Sequence, residues 1–223
     1  MTYTYEQRME LFEKLETGAV SDAMIAYGIG QWAQGIFPIK PDMKIYGRAS
    51  TAQFAVITPP RKIMNQYDVI ETAQPGDVLV WSSPVTTNIM GENIMNFLVR
   101  NGMNGIVVDG YCRDMNLIGE SGKPFFSKGR AIASSSKNFM CSPEFINVPV
   151  SCGGVVVNPG DYIFGDNDGI MVIPKDAVDD VLYQAQIHME WEKTLAEGIR
   201  NGADAKKMKE LYSALKIAER GTF

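Results

Sequence analysis

The chain has 223 residues, of which 45% are hydrophobic and 21% are charged, a composition typical of a globular protein that buries a sizeable core. Its formal net charge is −5 and it has no run of five or more Lys or Arg, so the sequence predicts no nucleic-acid partner. No apolar stretch approaches the roughly 18 residues of a membrane span, and the charged N-terminal stretch MTYTYEQRMELFEKL differs from a signal peptide. We therefore expect a cytoplasmic protein without a membrane partner.

Cysteine and histidine are too few for several common kinds of site. The three cysteines, Cys112, Cys141 and Cys152, show no CxxC spacing, which argues against a disulfide framework and against a zinc–thiolate site. The single histidine, His188, lies in a helical stretch without an accompanying G-x-S-x-G, so we interpret it as an ordinary helix residue. Acid–base or metal chemistry must then use carboxylates, Arg, Lys, Tyr or water.

Hydrophobic spacing and capping signals predict alternating helices and strands. Helices are predicted at 5–16, at 23–28 after a Ser21-Asp22 cap, at 63–72, at 91–102, and from Lys175 to the end with a break near Gly198–Gly202. Strands are predicted at 45–57, 75–81, 105–110, 123–129, 130–134, 148–157 and 161–173, with 29–44 as a loop. This order predicts one α/β domain over residues 1–223, with N-terminal helices and a helical C-terminal tail.

The phrase MGENIMNFLVRNG places Gly91 and Glu92 at the start of a predicted helix. A helix N-terminus presents free N–H groups and the positive end of the helix dipole, which suit a carboxylate or a phosphate. Glycine lets such a ligand approach the backbone closely. An alternative is that Glu92 is only a favourable acidic residue in a first turn.

Arg113 and Asp114 follow the apolar run GIVV and the turn signal Asp109-Gly110. The βα unit places them near the carboxyl edge of the sheet, where ligands of open α/β sheets bind. Arg can bind a carboxylate with two parallel hydrogen bonds, and Asp is a hard oxygen ligand that suits Mg²⁺. On local grounds alone, a surface ion pair is the commoner meaning of such a pair.

Taken together, several phrases resemble the RraA-like superfamily in wording and order. They are SDAM (21–24), GRASTAQ (47–53), PGDVLVW (75–81), GEN (91–93), GIVVDGYCRD (105–114), GGVVVNPGDYIFGDNDGIMVIP (153–174) and EWEKTLAEGIRNG (190–202). The superfamily contains class II pyruvate aldolases, such as 4-hydroxy-4-methyl-2-oxoglutarate/4-carboxy-4-hydroxy-2-oxoadipate aldolase, and the regulators of ribonuclease activity. The most specific part of the resemblance is the pair Gly91-Glu92 followed by the pair Arg113-Asp114, with Arg113 21 residues after Glu92.

The resemblance implies a compact α/β/β/α swivelling-type fold that assembles as a homotrimer or a hexamer, with sites between subunits. It implies that Asp114 holds Mg²⁺ or Mn²⁺ largely through waters and that Arg113 lies beside the substrate's keto oxygen. The amides of Asn93 and Ile94, after Gly91, would bind the pyruvyl carboxylate, and Glu92 would help to place a catalytic water. A glutamate from the neighbouring subunit's C-terminal helix completes the site, with Glu192 as the best match and Glu190 next.

The resemblance further implies a metal-dependent lyase that cleaves a 4-hydroxy-2-oxo acid to pyruvate by retro-aldol chemistry. A metal and an Arg can stabilise the pyruvate enolate without a Schiff-base lysine, and a metal-activated water can act as acid or base. Because loss of CO₂ from oxaloacetate gives the same enolate, we expect oxaloacetate decarboxylation as a side activity. Two alternatives remain: a non-catalytic regulator that binds and inhibits a protein partner, and a related lyase or isomerase acting on another carboxylic acid.

The sequence departs from the commonest family wording near the site. GENIMN stands where GELLA-like phrases are frequent, and Tyr111 and Cys112 replace small residues before the Arg-Asp pair. These changes leave the predicted metal and enolate residues in place. They affect the prediction of which group the protein recognises on the second half of the substrate. Tyr111, Lys137 and Arg48 are candidates for recognising a different distal group, with packing or surface roles as the alternative for each.

Overall fold

The computed structural model describes residues 2–135, 137 and 139–218. Its backbone contacts divide the chain into two compact units. The first unit combines the described residues up to Gly30 with those from Asp176 onward, and the second unit is Gln31–Lys175. The assignment of residues 1–223 to a single domain stays a prediction.

The described residues form seven α-helices and one short 3₁₀ turn, Pro143–Phe145. The helices are α1 (Tyr5–Lys14), α2 (Thr17–Ala26), α3 (Gln66–Ile70), α4 (Glu92–Arg100), α5 (Met115–Glu120), α6 (Val178–Arg200) and α7 (Ala205–Tyr212). The break predicted near 198–202 separates α6 from α7, and the predicted helical end at 219–223 lies outside the described residues.

The predicted cap at Ser21-Asp22 is wrong. Helix α2 begins four residues earlier, at Thr17, so both residues lie inside it. The buried side chains of α2, Ala19, Val20, Ala23 and Met24, pack against α6 within the first unit. This continuous apolar stripe extends the helix through two residues that elsewhere favour a helix start, because tertiary packing overrides the local capping preference.

The second unit is built on an eight-stranded mixed sheet. The strands of the described chain are β1 (Trp32–Ala33), β2 (Phe37–Pro38), β3 (Ile45–Gln53), β4 (Ala55–Val56), β5 (Val78–Ser82), β6 (Gly105–Cys112), β7 (Phe125–Arg130), β8 (Phe139–Met140), β9 (Val150–Cys152), β10 (Val155–Val157), β11 (Tyr162–Asp166) and β12 (Gly169–Ile173). The order in the large sheet is β1-β12-β11-β3-β5-β6-β7-β2. Its centre, β3-β5-β6-β7, is parallel, so these four strands end at one common edge.

The turn predicted at Asp109-Gly110 is also wrong, because both residues lie inside β6, which continues to Cys112. The buried Asp109 carboxylate accepts a hydrogen bond from the Gly153 amide, 2.9 Å away, and forms an ion pair with Lys128 of β7. Gly110 lies against Ser83, where a Cβ would come within 3.0 Å of the serine Cβ. Long-range partners therefore hold a turn-like dipeptide in an extended strand.

Smaller differences concern the ends and the connections. The strand predicted at 130–134 is absent beyond Arg130, α5 was not predicted, and the predicted loop 29–44 contributes the two-residue strands β1 and β2. The segments 148–157 and 161–173 each fold as an antiparallel hairpin, β9-β10 and β11-β12. None of the described helices combines the length and the apolar character needed to cross a membrane.

The three cysteines are buried free thiols. Burial raises the pKa of Cys141 to about 11 and that of Cys152 to about 12, and it raises the pKa of Cys112 further. Since the thiolate is the reactive form, we expect the native protein at pH 8 to resist a disulfide reagent such as DTNB, whereas the urea-unfolded protein should release three equivalents of chromophore. Rapid labelling of one cysteine in the native protein would contradict this burial.

Candidate active site

The parallel βαβ unit of β5, α4 and β6 places Gly91-Glu92 and Arg113-Asp114 at the carboxyl edge of the sheet. Gly91 is the N-cap of α4, whose first helical residue is Glu92. Arg113 follows the last residue of β6, and Asp114 caps the short helix α5. The Arg113 amide donates to the Met90 carbonyl at 3.2 Å, which joins the two segments directly.

The N-terminus of α4 leaves backbone donors available. The N-cap residue Gly91 has no side chain that could cap this helix, and the first intrahelical hydrogen bond runs from the Met95 amide to the Gly91 carbonyl. The amides of Asn93 and Ile94, which the sequence predicts as carboxylate binders, belong to the turn whose donors have no partner inside a helix. Together with the positive end of the helix dipole, they favour an anion here.

Asp114 is packed against the start of α4. Its Oδ2 accepts a hydrogen bond from the Glu92 amide at 3.3 Å. A Cβ at Gly91 would stand 2.3 Å from the same oxygen, so a larger residue at this position would displace the Asp114 carboxylate. Asp114 itself has a left-handed backbone, with φ of 59°, which orients its carboxylate toward α4. Such backbone strain in a non-glycine residue occurs frequently at functional sites.

Arg113 is an ion-pair partner of Asp114 and is also held by a second residue. Its Nε lies 3.5 Å from Asp114 Oδ2, and its guanidinium donates to Ser134 Oγ at 3.2 Å. Half of the Arg113 side chain and 37% of the Asp114 side chain are exposed. The protein therefore orients the pair while leaving both side chains partly open to solvent.

A loop network that the sequence did not reveal supports this arrangement. The Asn88 amide donates to the Ala133 carbonyl at 2.8 Å, and its side chain donates to the Ile132 carbonyl at 3.0 Å. Ser135 Oγ in turn donates to the Asn88 carbonyl at 3.0 Å. These contacts tie the segment before α4 to the segment that carries Ser134. No local pattern marks Asn88 or Ser135, since their partners lie far away in the chain.

A cleft of about 330 Å³ opens between these segments, a size that suits a small ligand. It is lined by the residues predicted to bind the pyruvyl half of the substrate and to act in catalysis, and by one of the two predicted metal ligands; these are Gly91, Glu92, Asn93, Ile94, Arg113 and Asp114. Lys137, Ser134 and Ser135 also line it. One concave site thus contains a guanidinium, two carboxylates and a helix N-terminus.

Other candidate residues lie elsewhere. Glu192, the second predicted metal ligand, is an exposed residue of α6 in the other unit, and Glu190 pairs there with Lys193. Their predicted part in a neighbouring subunit's site stays a prediction. Arg48 donates to the buried Asp77, just before β5 begins, so it belongs to the opposite end of the parallel strands. Tyr111 packs beside Gly129 and does not line the cleft.

The donors in the cleft fit a divalent cation of the magnesium type. Mg²⁺ is commonly held by one or two carboxylates, with waters completing its shell. Asp114 offers a partly exposed carboxylate in the cleft, and Glu92 offers a second one nearby. No group of three or more His, Cys, Asp or Glu that could hold an ion occurs among the described residues.

The fold and the cleft define a mixed α/β protein with a concave, charged site at the carboxyl edge of the parallel strands. Comparison with known families identifies the protein further. Residues 17–172 match the RraA-like family, described as Aldolase/RraA, and the chain belongs to this family. The resemblance seen in the sequence is thereby confirmed.

Relatives and solved structures agree with this assignment. A Halalkalibacterium halodurans protein with the provisional name 4-hydroxy-4-methyl-2-oxoglutarate aldolase is 35% identical over 177 residues, covering 78% of this chain and 80% of the relative. A crystal structure of an uncharacterised Pseudomonas syringae protein matches with a TM-score of 0.83 at 25% identity, over 95% of this chain and 99% of that one.

A third match is an unusual member of the RraA family of RNase ES inhibitors from Streptomyces coelicolor. Its TM-score is 0.74 at 28% identity, over 83% of this chain and 94% of that one. These matches confirm the predicted α/β class and the RraA-like fold. Aldolase names among the relatives support membership of a lyase family.

Proposed function

We propose that this protein is a divalent-metal-dependent lyase that cleaves a 4-hydroxy-2-oxo acid to pyruvate by retro-aldol chemistry, with oxaloacetate decarboxylation as a side activity. The observation that carries the proposal is the convergence of the α4 N-terminus, Arg113 and Asp114 on one cleft. A 2-oxo acid presents a carboxylate next to a keto oxygen that becomes negative during cleavage. The cleft offers a separate group for each.

The carboxylate of the substrate binds at the start of α4 in this proposal. The amides of Asn93 and Ile94 donate to its oxygens, and the helix dipole adds a favourable field. Gly91 keeps this approach open because it has no side chain. Binding at the helix start fixes the keto oxygen on the side of Arg113.

Arg113 then stabilises the oxyanion. The hydroxyl on C4 loses its proton and becomes a carbonyl, the C3–C4 bond breaks, and its electron pair forms the C2–C3 double bond of the pyruvate enolate. The Arg113 guanidinium donates to the developing enolate oxygen. This oxygen carries more negative charge in the transition state than in the bound substrate, so the hydrogen bond is stronger there and lowers the barrier. Protonation of C3 releases pyruvate.

Two glutamates have further roles in the proposed reaction. Glu92 positions a water that takes the proton from the C4 hydroxyl, which is general base catalysis through one water. Glu192 of a neighbouring subunit closes the site and contributes to the metal's surroundings, which requires a homo-oligomer, a trimer or a hexamer. Sedimentation velocity distinguishes these assemblies from a monomer.

Asp114 would hold the metal, in part through waters that Glu92 and Glu192 orient. When bound, Mg²⁺ or Mn²⁺ supplies Lewis-acid stabilisation of the negative charge on the keto oxygen.

Pyruvate release tests the proposal. We expect pyruvate from oxaloacetate and from 4-hydroxy-4-methyl-2-oxoglutarate in the presence of Mg²⁺ or Mn²⁺, and we expect EDTA to abolish both activities because Arg113 alone cannot neutralise the enolate. A coupled lactate dehydrogenase assay measures the rate. Turnover of oxaloacetate alone would keep the enolate chemistry but contradict the aldol substrate. No turnover of either compound by folded, metal-loaded protein would overturn the proposal.

A second candidate function is binding and inhibition of a protein partner. The observation that favours it is the match to the Streptomyces coelicolor RNase ES inhibitor relative. A binding role does not need the carboxylate of Asp114, whereas cleavage does. Partner binding that survives Asp114→Ala, in a protein that releases no pyruvate, would favour this candidate.

A further inference from the structure

A second cleft adjoins the first and shares its central residues. It measures about 690 Å³, and Arg113 and Asp114 line both clefts. The first turn of α5 forms one wall, with Met115 and Leu117, and the chain leaving β7 forms the other. A substrate whose keto acid end occupies the smaller cleft can therefore extend past Arg113 into this larger space. The second cleft falls within the size range of ligand pockets.

The walls of the second cleft are mostly apolar. Leu117 and Ile132 line it, and they are 46% and 92% exposed, so both side chains are accessible to a ligand in the cleft. The short carbon chain of a pyruvyl group is accommodated in the smaller cleft. Aliphatic walls next to the reacting carbons fit the part of the substrate that lies beyond the scissile bond.

One cation lies in this cleft without a partner. The Arg130 guanidinium makes no hydrogen bond or ion pair with any residue that the structure describes, although it is the last residue of β7 and its backbone is fixed opposite Cys112. Lys128, two residues earlier and on the same face, instead pairs with Asp109. The Ala131 amide donates to the Cys112 carbonyl at 3.0 Å, so the position of Arg130 beside Arg113 is set by the sheet.

We propose that Arg130 is a specificity-determining residue that binds an anionic group on the distal half of the substrate, while Leu117 and Ile132 contact the aliphatic carbons between. This inference rests on the proposed function and adds a residue to it: Arg130 binds the second carboxylate that 4-hydroxy-4-methyl-2-oxoglutarate carries on the half released as the carbonyl product. A guanidinium suits this role because it binds a carboxylate through two parallel hydrogen bonds.

Binding of two non-cleavable analogues tests the inference without requiring turnover. 2-Oxoglutarate and 2-oxopentanoate have the same five-carbon chain and differ only in the distal carboxylate. We expect the Mg²⁺-loaded protein to bind 2-oxoglutarate about tenfold or more tightly by calorimetry, the effect of one charge-assisted hydrogen-bonded pair. The variant Arg130→Gln should lose this preference and keep its affinity for 2-oxopentanoate.

Arg100→Gln is the matched control, because Arg100 is an exposed arginine at the end of α4, outside both clefts. It should keep the wild-type preference. Lys137→Gln tests the other cation that lines the smaller cleft. Loss of the preference in Lys137→Gln but not in Arg130→Gln, equal loss in Arg100→Gln, or no preference in the wild type would overturn the inference.

Failure of this inference differs from failure of the proposed function. If Arg130→Gln keeps the preference while the wild type still releases pyruvate from oxaloacetate, the enolate site stands and the distal assignment falls. If the wild type releases no pyruvate but Arg130→Gln loses the preference, the cleft binds dicarboxylates and the proposed reaction falls. In turnover, Arg130→Gln should raise KM for 4-hydroxy-4-methyl-2-oxoglutarate.

Discussion

Arg113→Lys and Asp114→Asn are each expected to lower kcat/KM for pyruvate release by at least about 100-fold, the usual cost of removing one group that stabilises an oxyanion. Lysine keeps the charge but lacks the planar fork that reaches both Ser134 and the keto oxygen. Asparagine keeps the shape of Asp114 and tolerates its left-handed backbone, but it removes the negative charge that a cation requires. Coupled assays at saturating Mg²⁺ measure both losses.

Matched substitutions elsewhere separate chemistry from general charge effects. Arg100→Lys and Asp42→Asn change exposed residues away from the clefts and should retain wild-type rates. All four variants should show wild-type far-UV circular dichroism, because both members of the Arg113–Asp114 pair are partly exposed and such pairs contribute little to stability. Wild-type kinetics in a folded Asp114→Asn variant would remove Asp114 from the reaction.

Gly91→Ala is expected to reduce activity about 100-fold while the protein still folds, since misplacement of a reacting group by about 1 Å can have that effect. The added Cβ would lie 2.3 Å from Asp114 Oδ2, so the carboxylate must move away from the Glu92 amide. Alanine is also a weaker N-cap than glycine, which we expect to lower the free energy of unfolding by roughly 1 kcal/mol. Urea denaturation and the pyruvate assay measure the two effects separately.

Gly18→Ala provides the control for this change. Gly18 lies on the exposed side of α2, where an added Cβ would meet no atom within 4 Å, and it needs no left-handed backbone. Alanine should therefore stabilise the helix by about 0.5–1 kcal/mol and leave activity unchanged. If Gly91→Ala behaved like Gly18→Ala in both assays, the close approach of Asp114 to α4 would have no catalytic importance.

The residues of the smaller cleft were predictable because each carries a local signal. Gly91 and Glu92 begin a helix after a strand, and Arg113 and Asp114 end the next parallel strand, so chain topology alone brings the two pairs to one edge. The supporting residues carry no such signal. Asn88 is hydrogen-bonded by Ser135, which lies 47 residues later in the chain. Arg130 becomes a candidate binding residue only when the structure shows that it lines a cleft together with Leu117 and Ile132.

The limits of the fold prediction have the same origin. Periodicity correctly located the long elements α1, α4, α6 and the parallel strands, because each presents an apolar face over several residues. It failed at Asp109-Gly110, where the ion pair between the buried Asp109 and Lys128 holds a turn-like dipeptide extended, and at Ser21-Asp22, where packing extends α2 through a capping signal. Both errors concern residues whose conformation is decided by distant partners.

The left-handed backbone of Asp114 sets fold stability and chemistry against each other at one position. A non-glycine residue with φ of 59° carries a strain of about 1 kcal/mol that glycine would relieve. Selection for stability alone would therefore favour glycine there, whereas the proposed cation binding requires aspartate. Among RraA-like chains that lose the reaction but keep the fold, this position should be among the first to change, which makes it a marker for separating enzymes from binding proteins within the family.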